Sequence, residues 1–260
     1  MSELNENTKE KTSGPGPGAT IVSAFMTNIN YRADRHYTKY IELAKPLLMA
    51  PINKVIFVDK NVFNDFILFI NENTTIIPFV KESNYLYQYE DEIDNSVLET
   101  KNPDKDTKEY MFTMCYKTEF VRKAMIMNNY GASQFIWLDL GIKHMIQVNS
   151  DKEFVEKIMR LKYVEYSVNI RIACIWNPDY VYQVDLYKDI CWYFAGSIFG
   201  GNIKSLTEFA DLTRGECLKM IKEKKQLVWE INIWQLIYRL DRWRFLYYIS
   251  SHDNSILDLY

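Results

Sequence analysis

Short apolar runs alternate with amphipathic segments along most of this chain, and this alternation narrows the folds that it can adopt. ATIVSAFM, KVIFVDK, TTIIPFV and QFIWLDLG each contain an apolar run of strand length, and residues 36–49 space their apolar side chains as a helix does. Strands that are apolar on both faces and separated by helices form a mainly parallel sheet with helices on each side. The sequence therefore predicts an α/β fold, a single Rossmann-like domain with a mostly parallel central sheet flanked by helices.

The N-terminal stretch differs in composition from the rest of the chain. Residues 1–19 are polar, charged and then rich in glycine and proline, so we expect a disordered tail there and one domain over residues 20–260. The chain is 48% apolar, which is enough for a packed core. Residues 88–109 interrupt the pattern with many acids, and they predict either a solvated loop or a mobile lid over a site.

Helix signals occur in three further stretches. Residues 111–131 have helical spacing and end on a glycine, which is the predicted C-cap. Ser150 ahead of Glu153 has the form of a capping box, which marks the start of a helix. Residues 206–240 predict two helices that separate near Lys225.

Charge and cysteine patterns exclude several classes of protein. The net charge is −3, whereas a protein that neutralises many phosphates carries a basic excess, so we expect no nucleic-acid partner; a small phosphorylated ligand remains allowed. The four cysteines form no CxxC pair and histidines are scarce, which argues against a zinc cluster or a disulfide scaffold. Reduced cysteines indicate the cytoplasm, or the host cytoplasm if the chain is viral.

Hydropathy predicts no segment that enters a membrane. No apolar run of about 18 residues is free of charge, so we expect no membrane span, and the polar N-terminus indicates no signal peptide. A homo-oligomer is compatible with the sequence.

Polar side chains follow the predicted strands, and ligands of open parallel sheets bind outside the carboxyl ends of the strands. These groups are Thr27 and Asn28 with Arg32 and Arg35 just beyond them, Asp59, and Asp139. Together they have the chemistry to hold a base, a ribose and a diphosphate with its metal. Each strand-end aspartate alone is also typical of a turn cap.

Glycines are concentrated in FAGSIFGGN, which contains Gly196, Gly200, Gly201 and Asn202. Missing side chains let the backbone pass close to a ligand or to another part of the protein. The segment is not a GxGxxG that opens a helix after the first strand, so it is not a dinucleotide-binding fingerprint.

Two ionisable side chains near the C-terminus have alternative interpretations. Glu230 in WEINIW lies either on a solvated helix face or in a pocket, where burial would raise its pKa toward the range of a general base. His252 in SSHDNS is either a surface residue or, beside a carboxylate, a metal ligand or phosphate partner.

The order of these segments resembles the HtrL/YibB (WlaTC-type) family, which is similar to the GT-A nucleotide-sugar transferases. The resemblance covers roughly residues 20–250 and is most specific at FIWLDLGI and at FGGN followed by WE; the other segments that carry it are VIFVDK, CYKTEFVRKA with Lys117, and WEINIWQLI.

What the resemblance implies is a GT-A-like fold and transfer of a sugar from a nucleotide-sugar donor, expected to be a UDP-sugar, to a glycan or another hydroxyl acceptor. GT-A enzymes hold a divalent metal, usually Mn²⁺ or Mg²⁺, on a DxD motif that ends a central strand. Asp139 is similar to the first Asp of that motif, whereas Gly141 stands at its third position, so the motif is incomplete.

The resemblance also assigns roles to the residues above. Negative charge develops on the leaving diphosphate, so cations or a metal must stabilise it. The expected donor-binding residues are Thr27, Asn28, Arg32, Arg35, Asp59, Lys117, Asp139 and Gly141; the acceptor-binding residues are Gly196, Gly200, Gly201 and Asn202; the metal ligands are Asp139 and His252. Glu230 would be the base of an inverting reaction. The alternative is a non-catalytic nucleotide- or carbohydrate-binding protein on the same fold.

Overall fold

The computed structural model of this chain describes residues 18–27, 36–94, 102, 105–166 and 168–260. The strands within these residues are β1 Thr20–Phe25, β2 Lys54–Asp59, β3 Thr74–Phe79, β4 Gln134–Leu138, β5 Ile170–Cys174, β6 Phe194–Asn202 and β7 Phe245–Ile249. The α-helices are α1 Tyr37–Met49, α2 Phe63–Phe66, α3 Lys108–Cys115, α4 Lys117–Met127, α5 Asp151–Arg160, α6 Ile203–Lys224, α7 Glu230–Asp241 and α8 Ser255–Asp258.

All seven of these strands belong to one sheet in the order β3-β2-β1-β4-β6-β5-β7. Neighbouring strands are parallel except at β6, which runs antiparallel to both β4 and β5. We call the edge at which the other six strands end, and at which β6 begins, the carboxyl edge. The predicted fold class, an α/β protein with a mostly parallel sheet between helices, is confirmed.

Two apolar cores lie on the two faces of the sheet. Successive residues of β1 show this, because Ile21 belongs to the core shared with α1 and α5, and Val22 to the core shared with α4, α6 and α7. Strand side chains alternate between the faces, so a strand that is covered on both is apolar at most of its positions. This is why the strands are readable as unbroken apolar runs.

The predicted helix over residues 111–131 differs from the structure in two respects. It divides at Tyr116 into α3 and α4, so that Lys117 is the first residue of α4. It also ends at Asn128, which adopts the left-handed conformation with φ 38°, so the predicted C-cap at Gly131 is wrong. Asparagine tolerates this conformation, and its side chain bonds to both backbone groups of Ala132.

Other predicted boundaries agree with the structure. Lys225, with φ 55°, separates α6 from α7, and Ser150 Oγ accepts a hydrogen bond from Glu153 N at the start of α5. The predicted tail lies outside the described residues up to position 17, as do positions 95–101, 103 and 104 of the acidic segment. Among the helices of the described ranges, none combines the length and apolar character that crossing a membrane requires.

The buried Lys54 at the start of β2 predicts a pH-dependent stability. Its ammonium donates to Ala50 O at 2.7 Å and Thr74 Oγ1 at 2.9 Å, and burial lowers its pKa from 10.5 to about 8. Between these two values the unfolded chain binds more protons than the folded one, so the free energy of unfolding should rise with pH. The rise is at most about 3 kcal/mol.

Urea denaturation at pH 7.5, 8.5 and 9.5 measures this effect. As the pH rises, the free energy of unfolding of wild type should increase relative to that of Lys54→Met. The exposed Lys45→Met serves as the control. A difference that stays constant over this range would contradict the assignment to Lys54.

Candidate active site

Three charged side chains meet at the carboxyl edge of the sheet. The Lys117 ammonium lies 2.8 Å from Gly196 O, 2.9 Å from Glu230 Oε1 and 3.1 Å from Asp139 Oδ1. Each of its three N–H groups therefore has an oxygen partner. Lys117, Asp139 and Glu230, all predicted as site residues, form what we call the Lys117 cluster.

The fold positions each member of the cluster at the end of an element. Lys117 and Glu230 begin α4 and α7, and Asp139 directly follows β4. The backbone N–H of Asp139 donates to Ser197 O at 2.9 Å, which ties it to the start of β6. Trp137 Nε1 donates to Asp139 Oδ1 at 2.8 Å, and the same ring lies 5.7 Å from the Lys117 ammonium.

The cluster is buried unevenly, and it carries a net negative charge. The side chains of Lys117 and Glu230 are 3% and 5% exposed, whereas that of Asp139 is 38% exposed. Burial alone would lower the pKa of Lys117, but attraction to Asp139 and then to Glu230 outweighs it, and the pKa is raised. Lys117 is therefore charged where it lies between the two acidic side chains.

Each carboxylate of the cluster keeps one oxygen without a partner among the described residues. Glu230 Oε2 is buried and unpaired, and the contacts of Asp139 go to Oδ1, which leaves Oδ2. Buried polar atoms are rarely left unsatisfied, and an unpaired buried oxygen is typical of a catalytic group or of a place that a water or a ligand occupies. The arrangement can accept a proton or a hydroxyl group at Glu230 and a cation at Asp139.

Gly196 is a glycine because the ion pair packs directly against its Cα. A Cβ at this position would lie 2.1 Å from Glu230 Oε1 and 3.2 Å from Lys117 Nζ. The missing side chain thus makes room for two charged protein groups.

This close contact predicts the effect of Gly196→Ala. The new methyl group should displace the Glu230 carboxylate from Lys117 and lower the free energy of unfolding by about 1–3 kcal/mol. The matched control is Gly215→Ala in α6, where a Cβ meets nothing within 4 Å; alanine should stabilise this helix by about 0.5–1 kcal/mol. Chemical denaturation of both variants measures the two opposite shifts, and equal stability of the two would contradict the packing argument.

Thr27 and Asp59 form a second predicted pair, at the ends of β1 and β2. Asp59 Oδ2 accepts from both the backbone N–H and the hydroxyl of Thr27, and Oδ1 accepts from Asn61 N at 2.9 Å. Asp59 therefore caps a turn and ties the ends of two strands together, as the turn-cap interpretation expected. Beside this pair lies a cavity of about 440 Å³ whose lining includes Phe79 and Phe120.

Gly200, Gly201 and Asn202 lie away from the Lys117 cluster, contrary to their predicted place at one acceptor surface with Gly196. Because β6 is antiparallel to β4, Asn202 pairs with Gln134 at the opposite edge of the sheet. Protein atoms fill the space beside these glycines: a Cβ at Gly200 would lie 2.3 Å from the Tyr260 hydroxyl. Asn202 caps α6 through a hydrogen bond from Ser205 N. The close-packing alternative therefore describes these three residues.

The remaining predicted residues are placed as follows. Asn28, Arg32 and Arg35 lie outside the described residues. Gly141 contacts the ring of Tyr40 on α1: a Cβ there would lie 3.3 Å from that ring. Among the described residues, no three His, Cys, Asp or Glu side chains are grouped as for a metal ion.

His252 follows β7 and therefore lies at the carboxyl edge. Its ring is 4.7 Å from that of Trp192, which is 6.0 Å from that of Trp229, the residue before Glu230. A row of aromatic rings thus runs from His252 to the residue that precedes Glu230. Sequence reasoning missed Trp137, Trp192 and Trp229; for Trp137 a signal existed, because residues two apart in a strand face the same side as Asp139.

Solved structures of similar fold include glycosyltransferases and a synthase. The apo-form glycosyltransferase GlyE of Streptococcus pneumoniae TIGR4 superposes with a TM-score of 0.46 at 11% identity, over 89% of this chain and 45% of that one. A glycosyltransferase involved in the glycosylation of the major capsid of PBCV-1 gives 0.39 at 9% identity, over 90% and 82%. 4-Diphosphocytidyl-2C-methyl-D-erythritol synthase from Anaerococcus prevotii DSM 20548 gives 0.42 at 9% identity, over 92% and 88%.

At such identities the likeness concerns the fold alone, and this chain spans less than half of GlyE. No curated protein matches this chain in sequence. The model of the family described as "Bacterial protein of unknown function (HtrL_YibB)" matches residues 29–226, which is most of the chain. The match includes Lys117, Asp139 and Gly196, and the recognition made from the sequence is confirmed: this chain belongs to the HtrL_YibB family.

Proposed function

We propose that this protein is a glycosyltransferase that moves a sugar from a nucleotide-sugar, expected to be a UDP-sugar, to a hydroxyl group of a glycan or small acceptor. The observation that carries the proposal is the buried Lys117 cluster at the carboxyl edge, with the unpaired Glu230 Oε2. Ligands of α/β sheets bind at this edge, and charge-stabilising groups next to a free carboxylate oxygen are what glycosyl transfer requires.

In the proposed reaction, the bond between the anomeric carbon and the diphosphate breaks and a bond from the acceptor oxygen to that carbon forms. Glu230 Oε1 is held by Lys117, so Oε2 is the atom that accepts the acceptor's proton if the configuration is inverted. The three N–H groups of Lys117 all have oxygen partners within the protein. Its role is therefore to fix Asp139 and Glu230 in position and to contribute a positive charge near the leaving group.

Asp139 is the proposed anchor of a divalent ion, although among the described residues it belongs to no group of three His, Cys, Asp or Glu side chains that could hold a metal. Its Oδ2 is uncommitted, its side chain is partly exposed, and the cluster is net negative, which favours a cation. His252 at the same edge is the proposed second ligand. Such an ion, when bound, would supply stabilisation of charge on the departing diphosphate.

The nucleoside is proposed to occupy the cavity beside Thr27 and Asp59. Its volume of about 440 Å³ lies within the usual size of small-molecule sites, and apolar rings line part of it. Asn28, Arg32 and Arg35, which follow β1 in the sequence, are proposed to hold the diphosphate. Gly141 is proposed to let the donor approach the end of β4.

A nucleotide-binding protein without turnover is the second candidate. The observation that favours it is that Asp139 Oδ1 is already occupied by Lys117 and Trp137, while Gly141 offers no second carboxylate.

Two experiments test both candidates. The first measures thermal shift of the protein with nucleoside diphosphates and nucleotide-sugars, with and without Mn²⁺. The second assays release of the nucleoside diphosphate. A metal-dependent shift with one nucleotide and release from the matching sugar donor is the expected result. Binding of a nucleotide without release of nucleoside diphosphate from any donor, over a broad acceptor panel, would identify a binding protein. The absence of a thermal shift with any nucleotide would contradict the proposal.

A further inference from the structure

Trp192 lies at the carboxyl edge, two residues before the first residue of β6, and is only partly buried. Its ring meets those of Trp229 and His252 nearly edge-on, at interplanar angles of 72° and 87°. Trp229 is 3% exposed, so it is covered by its neighbours. Trp192 is therefore the tryptophan of this row that keeps part of its ring open to a ligand.

The segment that carries Trp192 is fixed to the helix that carries Glu230. Trp176 N donates to Trp192 O at 2.8 Å, which closes the base of the loop between β5 and β6. Asn232 of α7, which is 1% exposed, accepts from Cys191 N and donates to two backbone oxygens of the loop, at 2.9 and 2.6 Å. The position of Trp192 relative to Glu230 is thus set by packing and hydrogen bonds.

Two features of the carboxyl edge point to the chemistry of a ligand. Glu230 Oε2 needs a hydrogen-bond donor, and the open part of Trp192 offers an apolar surface. A pyranose ring presents both, because it has a C–H face and hydroxyl groups at its rim.

We propose that Trp192 is the platform on which a saccharide acceptor stacks, with one of its hydroxyl groups directed to Glu230 Oε2. This inference rests on the proposed glycosyltransferase function and names the acceptor class and a further binding residue. Asn232 is a positioning residue in this arrangement, since it holds the loop and does not contact the sugar.

The test uses the full chain and a panel of methyl hexopyranosides as probes, measured by saturation-transfer NMR and by tryptophan fluorescence. At least one probe should bind wild type. Trp192→Ala should weaken that binding at least tenfold and raise the acceptor KM by a similar factor, whereas the Kd of the nucleoside diphosphate should change less than twofold. Trp192→Phe should recover part of the binding. The control is Trp243→Ala, at the opposite edge of the sheet and 61% exposed, which should behave as wild type.

The outcomes separate this inference from the proposed function. Binding of a hexopyranoside by Trp192→Ala as tight as in wild type would overturn the platform, and so would the absence of binding by any probe in a protein that turns over a donor. Saccharide binding that depends on Trp192 in a protein that binds no nucleotide would uphold the platform as a saccharide site and contradict the transferase.

Discussion

Glu230→Gln should reduce the rate of sugar transfer by about 10²–10⁴-fold, because the proposed base loses its charge and its ability to take a proton. Glutamine has nearly the same shape, and its carbonyl oxygen can still accept from Lys117, so the Kd of the donor nucleotide should change little. Single-turnover transfer with a radiolabelled donor measures the chemical step separately from binding.

The control is Glu156→Gln on α5, a glutamate whose side chain is 62% exposed and far in the sequence from the cluster. It should transfer sugar at the wild-type rate. If Glu230→Gln also retained the full rate, Glu230 would be no base, and a reaction that retains configuration, with Glu230 only orienting the acceptor, would replace the inverting mechanism.

Lys117→Met should lower the free energy of unfolding by about 3–5 kcal/mol, because it leaves two carboxylates facing each other without their common cation. The cost should be smaller at pH 4.5 than at pH 7.5. Without Lys117 the two acidic side chains repel each other, and acid weakens the repulsion between like negative charges. Urea denaturation at the two pH values measures both quantities.

A double-mutant cycle shows whether the loss comes from the ion pair. Lys117→Met combined with Glu230→Gln should be more stable than Lys117→Met alone, because one of the two unpaired charges is gone. The control is Lys152→Met, whose side chain is 88% exposed, with an expected change within about 0.5 kcal/mol. If Lys117→Met were as stable as this control, the ion pairs of the cluster would contribute little to the free energy of unfolding.

Much of the sheet was readable from the sequence, because strands covered on both faces leave unbroken apolar runs. The strand β6 was not predicted, because its glycines were interpreted as a segment that leaves room for a ligand; this is why Gly200, Gly201 and Asn202 were expected at the site. The edge strand β7 was missed because only Phe245 of its five residues is fully buried.

The residues of the site also fall into two groups: those that a local sequence pattern reveals, and those that depend on contacts between distant segments. Asp59 and Asp139 were found because a strand end is a local feature. Lys117 was named only through a family resemblance, since a lysine on a helix is normally solvated. Its burial depends on Gly196 and Glu230, which are distant in sequence, and that three-way contact cannot be read from any one segment.

The junction between β4 and β6 has a consequence for how the molecule opens. The strands β3, β2, β1 and β4 come from residues 20–138, and β6, β5 and β7 from residues 170–249, so this junction is a seam between an earlier and a later part of the chain. Lys117 and Asp139 belong to the earlier part, and Gly196 and Glu230 to the later part. Any fluctuation that separates the two parts must break the contacts of Lys117 with Gly196 and Glu230. Amide exchange at β4 and β6 would therefore report the lifetime of the assembled Lys117 cluster.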